Sequence, residues 1–329
     1  MDRLPLSNSA FEGDNNAYLF DTTETVLVDT GDWMETTREQ LERHLAERGL
    51  AFEDIDRIIL THWHPDHTGL AGEIQAAGGA TVHVHADDAR LVEGDETAWA
   101  EMHDRQERYF EAWAMPEEKR AVLREIMAGP EIGGRAPDVE TFEDGDVFSI
   151  GDVDLEIAHT SGHADGLCLV EFDSERGREV LSGDTLLPVY TPNVGGADIR
   201  VDRPLVKYLD ALHGIVAADY ARAWPGHRDP IDDPAGRASE IVHHHEERAW
   251  RVLDTLRRLG PCTVWEVSAE LFGELDGIHI LHGPGEAYAH LDHLQREGAV
   301  VADGTTYRLA EGVADELASL SGEHWDLSA

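Results

Sequence analysis

The chain has 329 residues, of which 41% are hydrophobic, so it is long and apolar enough to bury a large core. Asp and Glu outnumber Lys and Arg by 67 to 26, a formal net charge of -41, and only Lys119 and Lys207 are lysines. Because the acids are spread over the whole chain, the composition favours a halophilic protein over an ordinary acidic cytosolic one. No Lys/Arg cluster remains to contact a phosphate backbone, so nucleic acid is a disfavoured partner.

The N-terminus and the cysteines give information about the cellular compartment of the protein. Residues 1–5 lack the apolar run of a signal peptide, and no segment approaches the ~20 apolar residues of a membrane span. Cys168 and Cys262 lie far apart without the spacing of a metal motif, and we expect both to be small buried residues. These features predict a soluble, cytoplasmic protein without a membrane partner.

The first part of the chain alternates short buried strands with helices. Apolar runs and flanking glycines predict, in order, a strand at 25–29, a helix at 34–48, a strand at 57–61, a helix at 70–77 and a strand at 81–85. Residues 87–130 break this rhythm, because their spaced aromatic and aliphatic side chains predict two or three helices. We interpret this helical insertion as a lid over an apolar pocket, with a dimer surface, and hence a homodimer, as the alternative.

The strand pattern returns in the middle of the chain and is followed by a segment of different character. The pattern predicts strands at 147–150, 153–158, 167–172 and 180–182, a helix at 205–216 and a strand at 221–224. Two halves of similar content indicate a layered α/β body over residues 1–232. Residues 233–329 then predict a long helix at 235–259, helices at 264–271 and 286–297, and a hairpin of strands at 299–301 and 306–309. This order is the outline of a winged-helix module.

A cluster of metal-binding residue types follows the predicted strand at 57–61. His62, His64, Asp66 and His67 place four ligands within six residues, in what we expect to be a loop. Imidazole and carboxylate groups bind borderline divalent ions such as Zn²⁺, and two ions sharing a bridging group need about six to seven such ligands. A lone pair of histidines would carry little information, but the H-x-H-x-D-H spacing is highly specific.

This segment resembles the signature of the metallo-β-lactamase superfamily, and further motifs match that family in order. These are Val28-Asp29-Thr30-Gly31, Thr160-Ser161-Gly162-His163, Ser182-Gly183-Asp184-Thr185 and Trp224-Pro225-Gly226-His227. The resemblance implies a four-layer αββα sandwich. It implies two divalent ions, Zn²⁺ in the first place with Mn²⁺ or Fe²⁺ as alternatives. The implied ligands are His62, His64 and His163 for one ion and Asp66, His67 and His227 for the other, with Asp184 bridging them and Asp29 supporting the site from behind.

The chemistry that the resemblance implies is hydrolysis. A bound divalent ion lowers the pKa of its water to about 7, which supplies hydroxide at neutral pH without a nucleophilic side chain. Asp184 and Asp66 are then the candidate catalytic residues, the second by orienting the bridging water. Position 64 is His, whereas the oxygen-reducing di-iron members of the family usually carry Glu there, so hydrolysis is favoured over redox chemistry.

The substrate is the least determined part of the prediction. The loop at 187–196 follows Asp184 directly, and we name Tyr190 and Asn193 as candidate substrate contacts, with an ordinary loop as the alternative. The similarity extends to a branch of the superfamily that adds a C-terminal winged helix and includes endoribonucleases and thioesterases. From Cys262 onward there are 13 acidic residues against two arginines, which would repel a phosphate backbone.

We therefore expect a small acyl compound, that is an ester, thioester or lactone, as the substrate. An endoribonuclease is the first alternative, and a non-enzymatic winged-helix regulator is the second. The three consecutive histidines at 243–245 lie in the predicted long helix and are expected on its solvated face.

Overall fold

The computed structural model describes residues 1–8, 13–127, 133–320 and 322–327. The strands are β1 (Asp2–Leu6), β2 (Asn15–Asp21), β3 (Thr25–Val28), β4 (Arg57–Ile59), β5 (Thr81–His85), β6 (Val139–Phe142), β7 (Val147–Ile150), β8 (Val153–His159), β9 (Cys168–Ser174), β10 (Gly177–Gly183), β11 (Arg222–Pro225), β12 (Cys262–Thr263), β13 (Val300–Asp303) and β14 (Thr306–Leu309). The helices are α1 (Glu35–Ala46), α2 (Pro65–Thr68), α3 (Ala71–Gly78), α4 (Ala86–Val92), α5 (Glu96–Ala112), α6 (Glu117–Met127), α7 (Pro204–Ala218), α8 (Pro234–Leu259), α9 (Val264–Phe272), α10 (His279–Arg296) and α11 (Val313–Ser319).

Two mixed sheets form the body. The first has the order β1-β2-β3-β4-β5-β6, antiparallel from β1 to β3 and parallel from β3 to β6. The second has the order β11-β10-β9-β8-β7 and is antiparallel except for the pair of β10 and β11. The motifs singled out in the sequence follow the carboxyl ends of β3, β4, β8, β10 and β11, so strand ends from both sheets supply the site.

The apolar side chains divide into layers as the alternation along each strand requires. Val26 and Val28 of β3 pack between the two sheets, whereas Leu27 faces the outer cluster that contains residues of α1 and α3. On the second sheet Val180 of β10 faces a cluster with residues of α7 and α8, while Leu181 points inward. Helices therefore cover the outer face of each sheet, and the predicted layered α/β sandwich is confirmed.

The helical insertion and the last hundred residues share one hydrophobic cluster. Phe110 and Trp113 of the insertion are buried together with Leu253 of α8 and Leu291 of α10. The backbone N–H of Trp265 donates to the carbonyl of Trp113 at 3.0 Å. The apolar face that suggested a lid or a dimer surface thus packs against the chain's own C-terminal helices, and the homodimer stays a prediction. Residues 128–130 of the predicted insertion lie outside the described residues.

The sequence prediction differs from the structure at several elements. Strands β1, β2 and β6 were not predicted, and β1 carries Pro5 at the edge of the first sheet. Helix α10 begins at His279 and runs through Pro284, whereas the sequence predicted a start at 286. The prediction for the histidines at 243–245 is wrong for His245, which is fully buried. Among the described residues, no helix is both long and apolar enough to cross a membrane.

A small sheet of order β12-β14-β13 lies in the C-terminal region together with α9 and α10. The predicted hairpin is confirmed, with Asp303 paired to Thr306 across its turn. Both cysteines are free and buried, as predicted.

Candidate metal centre

The segment after β4 begins a short helix within the stretch that carries the candidate ligands. His62 follows the strand in an irregular stretch, His64 precedes α2, and Asp66 and His67 lie within this single helical turn. A loop was predicted over all of these residues, and that prediction is wrong for the last two. Proline at the first helical position explains the turn, since its fixed φ suits a helix start and its missing N–H is not needed there.

Three imidazole rings converge in what we call the first group, which is His62, His64 and His163. The Nδ1 atom of His64 lies 2.9 Å from Nε2 of His62 and 3.0 Å from Nε2 of His163. Each ring also meets an oxygen with its other nitrogen: His62 the Thr61 hydroxyl at 3.0 Å, His64 the Ala197 carbonyl at 3.3 Å, and His163 the Asn193 carbonyl at 2.8 Å.

These outer partners assign the tautomers of the first group. The carbonyls accept from N–H groups, and the Thr61 hydroxyl accepts from His62 because it donates its own proton to Asp29 at 2.8 Å. The three nitrogens that face each other are therefore assigned as unprotonated, and their converging lone pairs repel one another unless a cation lies between them. The first group fits a divalent metal ion.

The second group is formed by Asp66, His67 and His227, which lie next to Asp184, and all four residues are buried. Nε2 of His227 lies 3.5 Å from Oδ2 of Asp66, and Nε2 of His67 lies 3.5 Å from Oδ1 of Asp184. Ligand atoms around a tetrahedral zinc ion, with bonds of 2.0–2.1 Å, are separated by about 3.4 Å. Nε2 of His67, Nε2 of His227 and Oδ1 of Asp184 have no hydrogen-bond partner, so these buried atoms also fit a metal ion.

Asp184 lies between the two groups. Its Oδ2 atom is 3.7 Å from Nε2 of His163 in the first group and 3.3 Å from Nε2 of His227 in the second. Five imidazoles and the Asp66 carboxylate are thus arranged around Asp184. The structure brings together all seven residues that the sequence named as ligands.

The two groups differ in their proton affinity. Burial and the neighbouring imidazole of His163 lower the pKa of His64 to about 3, so the first group is neutral at physiological pH. Burial also opposes the protonation of His227, but the Asp184 carboxylate outweighs it and raises the pKa of His227 to about 9. Burial would raise the pKa of Asp184, yet His227 and His67 hold it well below its usual range. Without metal, the neighbouring carboxylates favour the protonated form of His227.

Asp29 lies directly behind His67 and Thr61. Its Oδ1 atom accepts from the backbone N–H of Thr61 at 2.8 Å, and its Oδ2 atom lies 2.8 Å from both the Thr61 hydroxyl and Nδ1 of His67. The residue has a φ of 57°, a left-handed conformation that Asp tolerates better than most residues. Its carboxylate therefore fixes the tautomer of His67 and, through Thr61, that of His62.

A buried cluster of charges that the sequence analysis did not identify frames the loops of the first group. Oδ2 of Asp88 accepts from the backbone N–H of Trp63, and Oδ2 of Asp198 accepts from the Trp63 indole and from the backbone N–H of Asp165, each at 3.0 Å. Arg200 pairs with both carboxylates. Burial would raise the pKa of Asp198, but Arg200 holds it at about 2. No spacing motif marks these residues in the sequence.

Two asparagines were missed as well. The side-chain amides of Asn8 and Asn15 donate to Oδ2 of Asp66 at 3.2 and 3.4 Å. Both amides thus hold the Asp66 carboxylate in place. Asn8 follows β1 and Asn15 begins β2, and neither strand was predicted.

The backbone before His227 lies directly against the second group. A Cβ atom on Gly226 would be 2.4 Å from Oδ1 of Asp184 and 2.6 Å from Cε1 of His67. The preceding carbonyl, of Pro225, accepts from the Tyr18 hydroxyl at 2.6 Å and from the Asn16 amide at 2.9 Å. Only glycine fits in this position, and β2 holds it there.

The two candidate substrate residues have different surroundings. Tyr190 is 48% exposed, lies under the guanidinium of Arg228 at 4.7 Å, and lines a depression of about 410 Å³ beside α8. No metal ligand is among the described residues that line this depression, so a substrate contact by Tyr190 stays a prediction. Asn193 uses its side-chain oxygen and both hydrogens of its amide within the protein, and a substrate contact by this side chain also stays a prediction.

Comparison with known proteins agrees with this geometry. The Probable metallo-hydrolase YqjP of Bacillus subtilis (strain 168) is 25% identical over 309 residues, which are 88% of this chain and 90% of that protein. The Lactamase-like protein aptB of Emericella nidulans is 25% identical over 271 residues, 79% of this chain and 69% of its own length.

Two solved structures cover nearly the whole chain. The metallo-beta-lactamase family protein TTHA1429 from Thermus thermophilus is 32% identical, with a TM-score of 0.78 and coverage of 94% of this chain and 98% of that one. A Beta-lactamase domain protein from Burkholderia ambifaria has a TM-score of 0.73 at 22% identity, covers 94% and 91%, and shows the fold alone. A family model described as Metallo-beta-lactamase superfamily matches residues 10–264, and the chain belongs to this superfamily.

Proposed function

We propose that the protein is a metal-dependent hydrolase that holds two divalent ions, Zn²⁺ in the first place, and acts on a small ester, thioester or lactone. The observation that carries this proposal is the position of Asp184, whose two carboxylate oxygens lie within 3.7 Å of ligands from both groups. The Bacillus subtilis relative is named as a probable metallo-hydrolase, which supports the same reaction class.

Different residues of the chain would have different roles in such a site. When bound, the two ions supply a water molecule with a pKa of about 7 and a positive centre that polarises the reacting oxygen of the substrate. Asp184 balances the charge of both groups, and Asp66, held by Asn8 and Asn15, is placed to orient a water molecule between them. The fixed tautomers keep every metal-facing nitrogen unprotonated once metal is bound.

Charge supports an acyl substrate over RNA. The net charge of the chain is -41, and the 13 acids against two arginines after Cys262 leave no basic face in that region. The order α8, α9, α10 and the β13–β14 hairpin, with β12 completing the small sheet, supports our interpretation of the region as winged-helix-like. A DNA- or RNA-binding winged helix would need basic residues on its surface.

The test is a panel of substrates at high salt with added Zn²⁺ or Mn²⁺. It contains p-nitrophenyl esters, a lactone, acyl-CoA, hydroxyacyl-glutathione, bis-p-nitrophenyl phosphate and a fluorescent RNA. We expect hydrolysis of at least one ester, thioester or lactone, abolished in Asp184→Asn. Asp254→Asn is the matched control, because this carboxylate pairs only with arginines of α8 in the contacts described and lies outside the site.

The panel also separates the alternatives. Cleavage of RNA with all acyl compounds inert would replace our proposal with an endoribonuclease. Specific DNA binding in a gel-shift assay, without hydrolysis of any compound, would favour a regulator.

A further inference from the structure

The loop at residues 193–197, which we call the backing loop, touches two metal ligands through its backbone. The carbonyl of Asn193 accepts from Nδ1 of His163 at 2.8 Å, and the carbonyl of Ala197 accepts from Nε2 of His64 at 3.3 Å. Such partners set the tautomer and the orientation of a ligating imidazole. The position of the backing loop therefore decides where the metal-facing nitrogens of His64 and His163 point.

The side chain of Asn193 fixes the loop on both sides. Its Oδ1 atom accepts from the backbone N–H groups of Gly196 and Ala197 at 3.1 and 2.7 Å, which closes the turn. Its Nδ2 atom donates to the carbonyl of His282 and to Oε2 of Glu286, both at 3.1 Å. The turn is thus tied to helix α10, which lies almost a hundred residues further along the chain.

Glu286 is a buried carboxylate, 4% exposed, and its two oxygens face different parts of the fold. Oε2 accepts from Asn193 and from the backbone N–H of Val194, the second also at 3.1 Å. Oε1 pairs with the guanidinium of Arg248 on α8. This pairing offsets the cost of burying the charge, and hydrogen bonds to an ionised acceptor are roughly twice as strong as neutral ones. The buried Glu286 carboxylate therefore binds the backing loop through charge-assisted hydrogen bonds.

Helix α10 also meets the loop backbone to backbone. A Cβ atom on Gly285 would lie 2.2 Å from Cα of Gly196 and 2.6 Å from the carbonyl oxygen of Gly195. No side chain can separate the two segments here. A displacement of this turn of α10 is therefore transmitted directly to the backing loop.

We propose that Glu286, through Asn193, is a positioning residue of the metal centre, and that helix α10 thereby sets the metal affinity of the first group. This inference rests on the proposed two-metal function. Through the backing loop, Glu286 reaches His64 and His163 among the candidate ligands, while its Oε1 atom faces Arg248 and lies 3.8 Å from Nδ1 of His245. The outer partners of the second group are Asp29 for His67 and the Gly13 carbonyl for His227, both from the first part of the chain. The effect of Glu286 is therefore selective for one ion.

The experiment measures metal binding to each group separately. Metal-free protein is titrated with Zn²⁺ against a chromophoric chelator and with Co²⁺ by its visible absorption. Asp66→Ala isolates the first group, and His64→Ala isolates the second. Glu286→Gln, which keeps the shape and removes the charge, is placed in each background. Asp292→Asn on the same helix is the control, since its carboxylate pairs with Arg296 at the surface.

We expect Glu286→Gln to weaken binding about 10–100-fold in the Asp66→Ala background and to leave it unchanged in the His64→Ala background. Asn193→Ala should give the same selective loss, and the two changes together should cost less than the sum of the single changes, because they share the contact between Asn193 and Glu286. Asn193→Ala carries the test alone if Glu286→Gln does not fold.

Two results would overturn the inference: equal weakening in both backgrounds, as a general structural defect produces, or unchanged binding in both. Wild-type protein that binds two ions while Glu286→Gln shows no selective loss refutes the positioning role alone. Wild-type protein that binds no ion refutes the proposed function and this inference with it.

Discussion

Replacement of Gly226 by alanine tests how tightly the second group is enclosed. The new Cβ atom would lie 2.4 Å from Oδ1 of Asp184 and 2.6 Å from Cε1 of His67. Non-bonded heavy atoms settle at about 3.5–4.0 Å, so these two side chains, or the backbone itself, must move by about 1 Å. The φ of Gly226 is not in the left-handed region, so the substitution adds this contact without backbone strain.

The expected loss follows from that displacement. A 1 Å misplacement of a catalytic group costs about 10²-fold in rate, so we expect kcat/KM on the best acyl substrate of the panel to fall by about this factor. Metal affinity should fall with it, because both displaced side chains are ligands. Both are measured on the same protein, by substrate hydrolysis and by metal content after dialysis.

Gly214→Ala is the matched control for this substitution. Gly214 lies within α7, and no heavy atom lies within 4 Å of the Cβ position. Alanine in a helix interior is favoured over glycine by roughly 0.5–1 kcal/mol, so this variant should unfold at slightly higher denaturant with unchanged metal content. Gly226→Ala protein with full metal content and wild-type activity would refute the close packing on which the description of the second group rests.

Three further predictions concern support, protons and salt. Asp29→Asn should weaken metal binding about 10–100-fold, measured by chelator competition, since Nδ1 of His67 loses its charged acceptor at 2.8 Å; unchanged affinity would contradict the supporting role. The pKa of His227 is raised to about 9 without metal, so a metal ion must displace protons from this site at pH 7, and the affinity for metal should rise as the pH increases toward 9. Calorimetry in buffers of different ionisation enthalpy should detect the release of protons on metal binding. If no protons are released, His227 is not protonated in the metal-free protein. The midpoint of thermal unfolding should rise between 0.1 M and 2 M KCl. Over this range the Debye length falls from about 10 Å to below about 3 Å, which screens the repulsion among the charges of a chain with a net charge of -41. A falling midpoint would argue against salt adaptation.

The ligands were predictable from sequence because each follows a strand that is itself marked by a short apolar run. His62, His163, Asp184 and His227 come within a few residues of β4, β8, β10 and β11. Strand ends that meet at one edge of two packed sheets bring such residues together, so local pattern and motif order were sufficient to predict that all seven candidate ligands lie close together.

The supporting groups were not predictable, since their roles depend on contacts between distant segments. Asp88, Asp198 and Arg200 are buried together although Asp88 lies 112 residues before Arg200. Helix α10 was predicted too short because Gly283-Pro284-Gly285 is typical of a helix break. In the structure Gly285 lies against the backing loop, where a side chain would not fit. Tertiary packing overrides the local preference at this point.

The role of Asn193 also could not be predicted from the sequence. Its position after Asp184 in a loop rich in glycine and proline suggested a substrate contact, which stays a prediction. The structure adds contacts of its side chain with the loop and with α10, which the sequence did not suggest. A polar residue near a site can bind substrate or hold the ligands, and the sequence does not distinguish the two.

The central claim is that two divalent ions share Asp184. Crystals grown with Zn²⁺ and measured at the zinc absorption edge test it directly through anomalous difference density. We predict two peaks about 3.5–4 Å apart, one near His62, His64 and His163 and the other near Asp66, His67 and His227, with Asp184 between them. A single peak, or zinc bound elsewhere with both groups empty, would contradict the account.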